Sequence, residues 1–219
     1  MTFIVPTVPI KPYAVYLGTT VDTAPATTTI TFSSVDLGRA SSDRLIVIAA
    51  LNRDTGSLAD TFSTVTINGV SATQVVATTN GGSLGVTIYS ARVPTGTSGD
   101  VVLTVGDNVD HVYISVYALY GLRSPTAVDT DTVVDTVQPI SFSALAVPDD
   151  GIAIATYSAI SASAFTPTGL VTSNNSTTVE TASYASAVGQ NGATATSSAT
   201  LGATHLTTTG CTAAAASWR

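Results

Sequence analysis

The chain has 219 residues, with 14 acidic groups against 7 basic ones, 10% charged residues and a hydrophobic fraction of 44%. It is built from 39 Thr, 30 Ala, 26 Val and 24 Ser, with one Lys (Lys11) and one Glu (Glu180), a composition that suits pleated strands and excludes a mainly helical protein. A net charge of −7 without a basic cluster opposes nucleic-acid binding, and the single Cys211 excludes an internal disulfide framework.

The first twelve residues, Met1-Thr-Phe-Ile-Val-Pro-Thr-Val-Pro-Ile-Lys-Pro12, are apolar but read as no secretory signal. They lack a basic leader, and Pro6, Pro9 and Pro12 break any continuous helix. Proline at every third position favours an extended, polyproline-like segment. Phe3, Ile4, Val5, Val8 and Ile10 would each cost about 1.5–3 kcal/mol if left in water rather than fully buried. We therefore expect residues 1–20 to form an extended arm. Those five side chains are its candidate contacts with a neighbouring subunit or a shell protein.

From residue 27 onward, strands and turns alternate at short spacing. Thr29-Ile-Thr-Phe-Ser33 has a period of two, and Leu45-Ile-Val-Ile-Ala-Ala-Leu51 is apolar on both faces, as a central strand should be. Asn68-Gly69, between Thr64–Ile67 and Val70–Val76, predicts a hairpin, since a type I′ turn needs positive φ at both central residues. Further turns are predicted at Asn80-Gly-Gly82, Pro94-Thr-Gly96, Gly106-Asp-Asn108, Pro148-Asp-Asp-Gly151 and Asn191-Gly192. In His111–Ala118, Val112, Ile114, Val116 and Ala118 share one face, while Tyr113, Ser115 and Tyr117 share the other. That predicts a strand packed on one side. Residues 123–147 read as two more strands, and Ala193–Leu201 alternates likewise.

Mean hydropathy is +0.39, yet no run approaches the 18 apolar residues of a membrane helix. No fixed-period repeat and no linker stand out. The expected fold is all-β: a single large antiparallel β-sandwich of jelly-roll or Greek-key type over residues 21–219, of roughly a dozen strands, preceded by the arm.

Each chemical motif competes with a structural explanation. Gly81-Gly-Ser-Leu-Gly85 matches the nucleophile elbow, but the elbow needs a helix after Ser83, and Val86-Thr-Ile-Tyr89 is a strand. His111 and His205 are isolated, without a second ligand at metal spacing. Asp107, Asn108 and Asp110, then Asp129, Asp131 and Asp135, then Asp149 and Asp150, form loose acidic clusters. Such clusters can hold Ca²⁺, but in turns Asp more often accepts backbone hydrogen bonds. Cys211 reads as a small buried filler. Tyr113, Tyr117 and Tyr120 fit either a sugar platform or a cross-strand packing stripe. No catalytic residue, cofactor or metal is expected.

The whole-chain pattern resembles small structural proteins of tailed bacteriophages. The features that carry it are the apolar arm, Val65-Thr-Ile-Asn-Gly-Val-Ser-Ala-Thr73, Ala91-Arg-Val-Pro-Thr-Gly96 and the Ala-rich ending Ala213–Trp218. The resemblance implies a non-enzymatic virion protein, foremost a capsid decoration (cement) protein binding the assembled shell. It implies a homo-oligomer, such as a trimer, with the major capsid or another virion protein as partner and neither nucleic acid nor membrane bound. A tail, fibre or receptor-binding module recognising surface carbohydrate is the alternative.

Overall fold

The fold was obtained as a computed structural model, which describes residues 11–23, 27–54, 61–107, 109–135, 139–142, 145–160, 164–169, 172–179, 182–190, 201–204 and 210–219. Among them the chain forms seventeen strands and no helix. The first nine are β1 (Tyr13–Asp22), β2 (Thr29–Asp36), β3 (Leu45–Arg53), β4 (Thr64–Ile67), β5 (Val70–Ser71), β6 (Thr73–Thr79), β7 (Leu84–Arg92), β8 (Ser98–Thr104) and β9 (His111–Tyr120). There follow β10 (Asp129–Asp135), β11 (Ile140–Phe142), β12 (Ile152–Ala159), β13 (Thr166–Gly169), β14 (Thr172–Val179), β15 (Ala182–Gln190), β16 (Leu201–Thr204) and β17 (Cys211–Trp218).

The all-β, antiparallel class is as expected, but the strands fill four sheets where a single sandwich has two. The sheet orders are β1-β9-β3-β7-β6, β2-β8-β4-β5, β10-β17-β12-β15-β14 and β11-β16-β13. Setting aside the two-residue β5, the strands of each half run first-eighth-third-sixth-fifth in the larger sheet. They run second-seventh-fourth in the smaller one. The chain thus carries one strand order twice. No sequence repeat marks it, because a strand order is satisfied by many apolar alternations.

Side-chain alternation stacks the four sheets. On β9, Val112, Ile114, Val116 and Ala118 enter the core between the first two sheets, with Ile46, Ile48, Phe62 and Leu103. Tyr113, Tyr117 and Leu119 point the other way, into the contact between the two halves. On β17, Cys211, Ala213 and Ala215 join Phe142, Tyr157 and Phe165 in the second half's own core. Ala214, Ala216 and Trp218 meet the first half. The expectation that β9 packs on one side is therefore corrected: all ten of its residues are buried. β3 is buried along its whole length, as its apolar run predicts.

The predicted hairpin at Asn68-Gly69 forms between β4 and β5, with φ of 50° and 76°. A Cβ at Gly99 would come within 2.6 Å of the Asn68 side chain, so the neighbouring strand needs glycine there. Residues 123–147 form β10 and β11, as expected. Asn191-Gly192, and all of Ala193–Leu201 but its last residue, lie outside the described residues. So do Phe3, Ile4, Val5, Val8 and Ile10. Residues 13–22 are extended, but as β1 they pair with β9 from Tyr13↔Tyr120 to Asp22↔Val112. The sheet therefore starts at Tyr13 rather than at residue 21. Just before it, Lys11 pairs with Asp150 at 2.9 Å, and the Pro12 carbonyl accepts from Gln190 Nε2.

One buried cation closes the end of the first sandwich. Arg44 is fully buried and donates to five carbonyl oxygens at 2.7–2.9 Å: Leu37, Gly38, Val93, Thr95 and Gly96. Five donors meet five acceptors, so the guanidinium is satisfied by peptide dipoles alone. It clamps the β2–β3 loop to the β7–β8 loop. Gly38, at φ 69°, is doubly required, because a Cβ there would meet the Tyr120 hydroxyl at 3.0 Å.

Arg44→Met should cost at least about 3 kcal/mol, since several buried carbonyls lose donors at about 1–3 kcal/mol each. Arg44→Lys should recover only part, with three donors in place of five. Urea denaturation midpoints check both. An Arg44→Met variant as stable as the parent would show that the clamp carries no weight.

Candidate functional site

The contact between the halves is mainly apolar, with a line of hydroxyls running into it. Tyr16 OH and Thr19 Oγ1 are 2.7 Å apart, and Thr19 Oγ1 lies 2.6 Å from Ser115 Oγ. Ser186 donates to Ser115 Oγ at 2.9 Å, which joins the second half to the first. Tyr184 donates to the Ala49 carbonyl oxygen at 2.9 Å, with Ser115 Oγ a further acceptor at 3.0 Å. The ring of Tyr184 packs on Tyr113, centroids 5.3 Å apart. Burial pushes the Tyr184 hydroxyl up to about 12, partly opposed by hydrogen bonds from Ser115 and Thr156. Burial likewise raises Tyr117 well above the ordinary tyrosine value.

The residues singled out in the sequence take structural positions. Ser83 sits in the β6–β7 hairpin, where Asn80 Oδ1 accepts from Gly82 N and Leu84 N at 2.9 and 3.1 Å. A strand follows it, not a helix. His111 opens β9 opposite Arg53, and Arg53 in turn faces Leu84. Ser83 and His111 are thus two strand spacings apart, about 10 Å, which is too far for a nucleophile and its base. Asn52, Arg53, Asp54 and His111 form a buried polar group at this end of β3. His205 lies outside the described residues.

Tyr113, Tyr117 and Tyr120 are buried and packed respectively against Tyr184, Tyr16 and Tyr13, the last pair stacked and the other two tilted. They form packing stripes, which removes the sugar-platform reading for these three. Cys211 is a buried filler, as expected. Asp129 accepts from Thr130 N at 2.9 Å and Ala146 N at 2.7 Å, and Asp131 accepts from Thr132 N at 2.8 Å. Asp150 adopts a positive φ of 55° in the Pro148–Gly151 turn. Asn108 and the side chain of Asp135 are not described. Among the described residues, no group of three or more His, Cys, Asp or Glu is placed to hold a metal ion.

An open cleft of about 420 Å³ lies between the halves, at the start of β3 and β6 and the end of β7. Leu45, Val75 and Ala91 line one side, with Ser90, Arg92 and Gln74 beside them. Pro125, Thr126, Ala127 and Thr130 close the other side. This connecting segment is fixed to the last strand, Arg123 N donating to Arg219 O at 2.8 Å and Val128 N to Ser217 O at 2.7 Å. Arg92 is exposed and acts on nearby Asp43. The Ser41 hydroxyl foremost, with the Gly121 N–H at 2.8 Å, holds the Asp43 carboxyl below its usual value, and Arg92 adds a smaller pull. Sequence reasoning missed the cleft, since its walls come from segments up to 85 positions apart and converge only when the halves pack.

No protein-family model matches the chain, and no curated protein matches it either.

Two predictions follow from these hydroxyls and carboxyls. Tyr184→Phe should lower stability by about 1–3 kcal/mol, because the buried Ala49 carbonyl loses its donor. With the folded value raised above the unfolded 10, the contribution of Tyr184 is intact below pH 10 and lost as pH climbs toward about 12. Denaturation midpoints from pH 9 to 12 should therefore fall more steeply in the parent than in Tyr184→Phe. Asp43, lowered in the folded state, stabilises above its unfolded value of 3.8 and loses that contribution as pH falls below it. Asp43→Asn should flatten the acid limb of the same titration.

Proposed function

We propose that this chain is a non-enzymatic structural protein of a tailed-bacteriophage virion, a capsid decoration protein that assembles as a homo-oligomer on the shell. The observation that carries the reading is the character of β1. It is the edge strand of the doubly packed sheet, and its Tyr13, Val15 and Val21 are about 40% exposed. An edge strand presents unpaired N–H and C=O groups along its outer side, a template for another chain. In the sequence the apolar residues Phe3, Ile4, Val5, Val8 and Ile10 come just before β1. We read this edge as the contact surface for a sister copy or a capsid subunit.

The rest of the chain fits such a part. We read each half as a jelly-roll-type sandwich: the first strand pairs with the last, and the second with the seventh. Two sandwiches stacked through a shared dry contact make a stiff block. Where Thr and Ser replace Lys and Glu on the outside, little side-chain entropy is lost on contact.

Cryo-electron microscopy of particles carrying the protein tests the proposal. Density for this chain is expected at lattice positions on the shell, and deletion of residues 2–10 should abolish it while leaving the strand spectrum unchanged. Density confined to the tail, or full occupancy by the truncated protein, would overturn the decoration reading.

A further inference from the structure

We propose that the cleft between the two halves binds a saccharide bearing a single carboxylate, a uronic-acid type of sugar, with Arg92 as its anion-binding group. The proposal goes beyond the structural role above and holds whether the protein sits on shell or tail. Its first support is geometric. At about 420 Å³ the cleft falls in the range of small-molecule sites, and it lies between two packed units, where such sites concentrate. Its walls sit on strands and on a segment pinned to β17, so the site is formed before any ligand arrives.

The chemistry of the walls selects the ligand. Ser71, Thr73, Ser90, Thr126 and Thr130 bring hydroxyls. Groups that both donate and accept match sugar hydroxyls, which do the same. Leu45, Val75 and Pro125 supply aliphatic surface for the C–H side of a pyranose ring. Arg92 adds a planar fork of donors suited to a carboxylate.

Charge counting argues for one negative charge rather than two. Among the described residues Arg92 is the one cation lining the cleft, and Asp43 stands near enough to be influenced by it. Asp43 already offsets Arg92, so a monoanion leaves one net negative charge at the cleft, whereas a phosphate dianion would leave two. Two further cations are engaged elsewhere: Arg44 on five carbonyls and Lys11 on Asp150.

Titration calorimetry of the full chain with glucuronic acid, glucose and acetate is the test. Glucuronic acid should bind at millimolar concentration, with glucose weaker by about tenfold or more, as loss of a charge-assisted pair implies. Acetate, which lacks the ring, should also be weaker by about tenfold or more. Arg92→Gln should remove the preference for glucuronic acid over glucose. Ala127→Trp, which fills the cleft from the connecting segment, should abolish binding of both sugars. Thermal melts matching the parent establish that both variants are folded. The proposal is overturned by no heat with glucuronic acid, by equal affinity for glucose, by acetate binding as tightly, or by binding that survives Ala127→Trp.

Discussion

The central strands β9, β3 and β7 of the sheet β1-β9-β3-β7-β6 are buried on both faces, and the rest of the molecule is arranged to keep them so. One side takes the small sheet of the first half, the other the large sheet of the second. A strand in that position cannot follow the usual rule of one apolar and one polar face. β3 meets the constraint with an unbroken apolar run. β9 meets it differently, alternating aliphatic residues toward its own partner sheet with Tyr113, Ser115 and Tyr117 toward the other half. The polar atoms this brings inside are costly unless paired, and for the Ser115 hydroxyl that pairing comes from Ser186 and Tyr184, which also donates to the Ala49 carbonyl. It also fixes how the two large sheets lie on each other, because a slide by one residue would separate Ser115 from Ser186.

Side-chain volume follows from the same stacking. β17 offers Ala213–Ala216, so its sheet backbone can approach closely on both sides. The space is filled by large residues from elsewhere: Tyr157, Phe142 and Phe165 on one face, Tyr113 and Tyr184 on the other. An alanine strand between aromatic layers explains how a chain with 6% aromatic residues fills three cores. Arg44 solves the matching problem at the sheet's end. Loop carbonyls from two connections converge there, those of Leu37 and Val93 buried, and a single guanidinium satisfies five of them.

Much of the local structure was legible in the sequence, because it rests on local rules. Asn68-Gly69 has no comfortable alternative to its turn, Leu45–Leu51 is too apolar to be anything but central, and the Pro148–Gly151 group turns as its residue types demand. What escaped was the pairing of distant parts. The alternation in β9 looks like an ordinary half-exposed strand, and nothing in Tyr113-Ile-Ser-Val-Tyr117 says that the tyrosine side is covered by another sandwich. The duplication escaped for a related reason: the halves share a strand order, while β9 is built from Tyr, Val and Ile and β17 from Ala. Arg44 is a single cation before an apolar run, and its acceptors, being backbone, leave no mark in residue type. The cleft shows neither motif nor periodicity, since its lining is assembled from four separated stretches.

The two-sided burial makes a direct statement about cooperativity: neither half keeps its large sheet covered without the other, so they should unfold together. Native-state hydrogen exchange followed by mass spectrometry measures this segment by segment as denaturant is raised. Amides of β3 and β9 in the first half and of β12 and β17 in the second should lose protection in one common transition with one free energy. If β12 and β17 opened in a separate, earlier step while β3 and β9 stayed fully protected, the contact between the halves would be an incidental one, and the account built on it would fail.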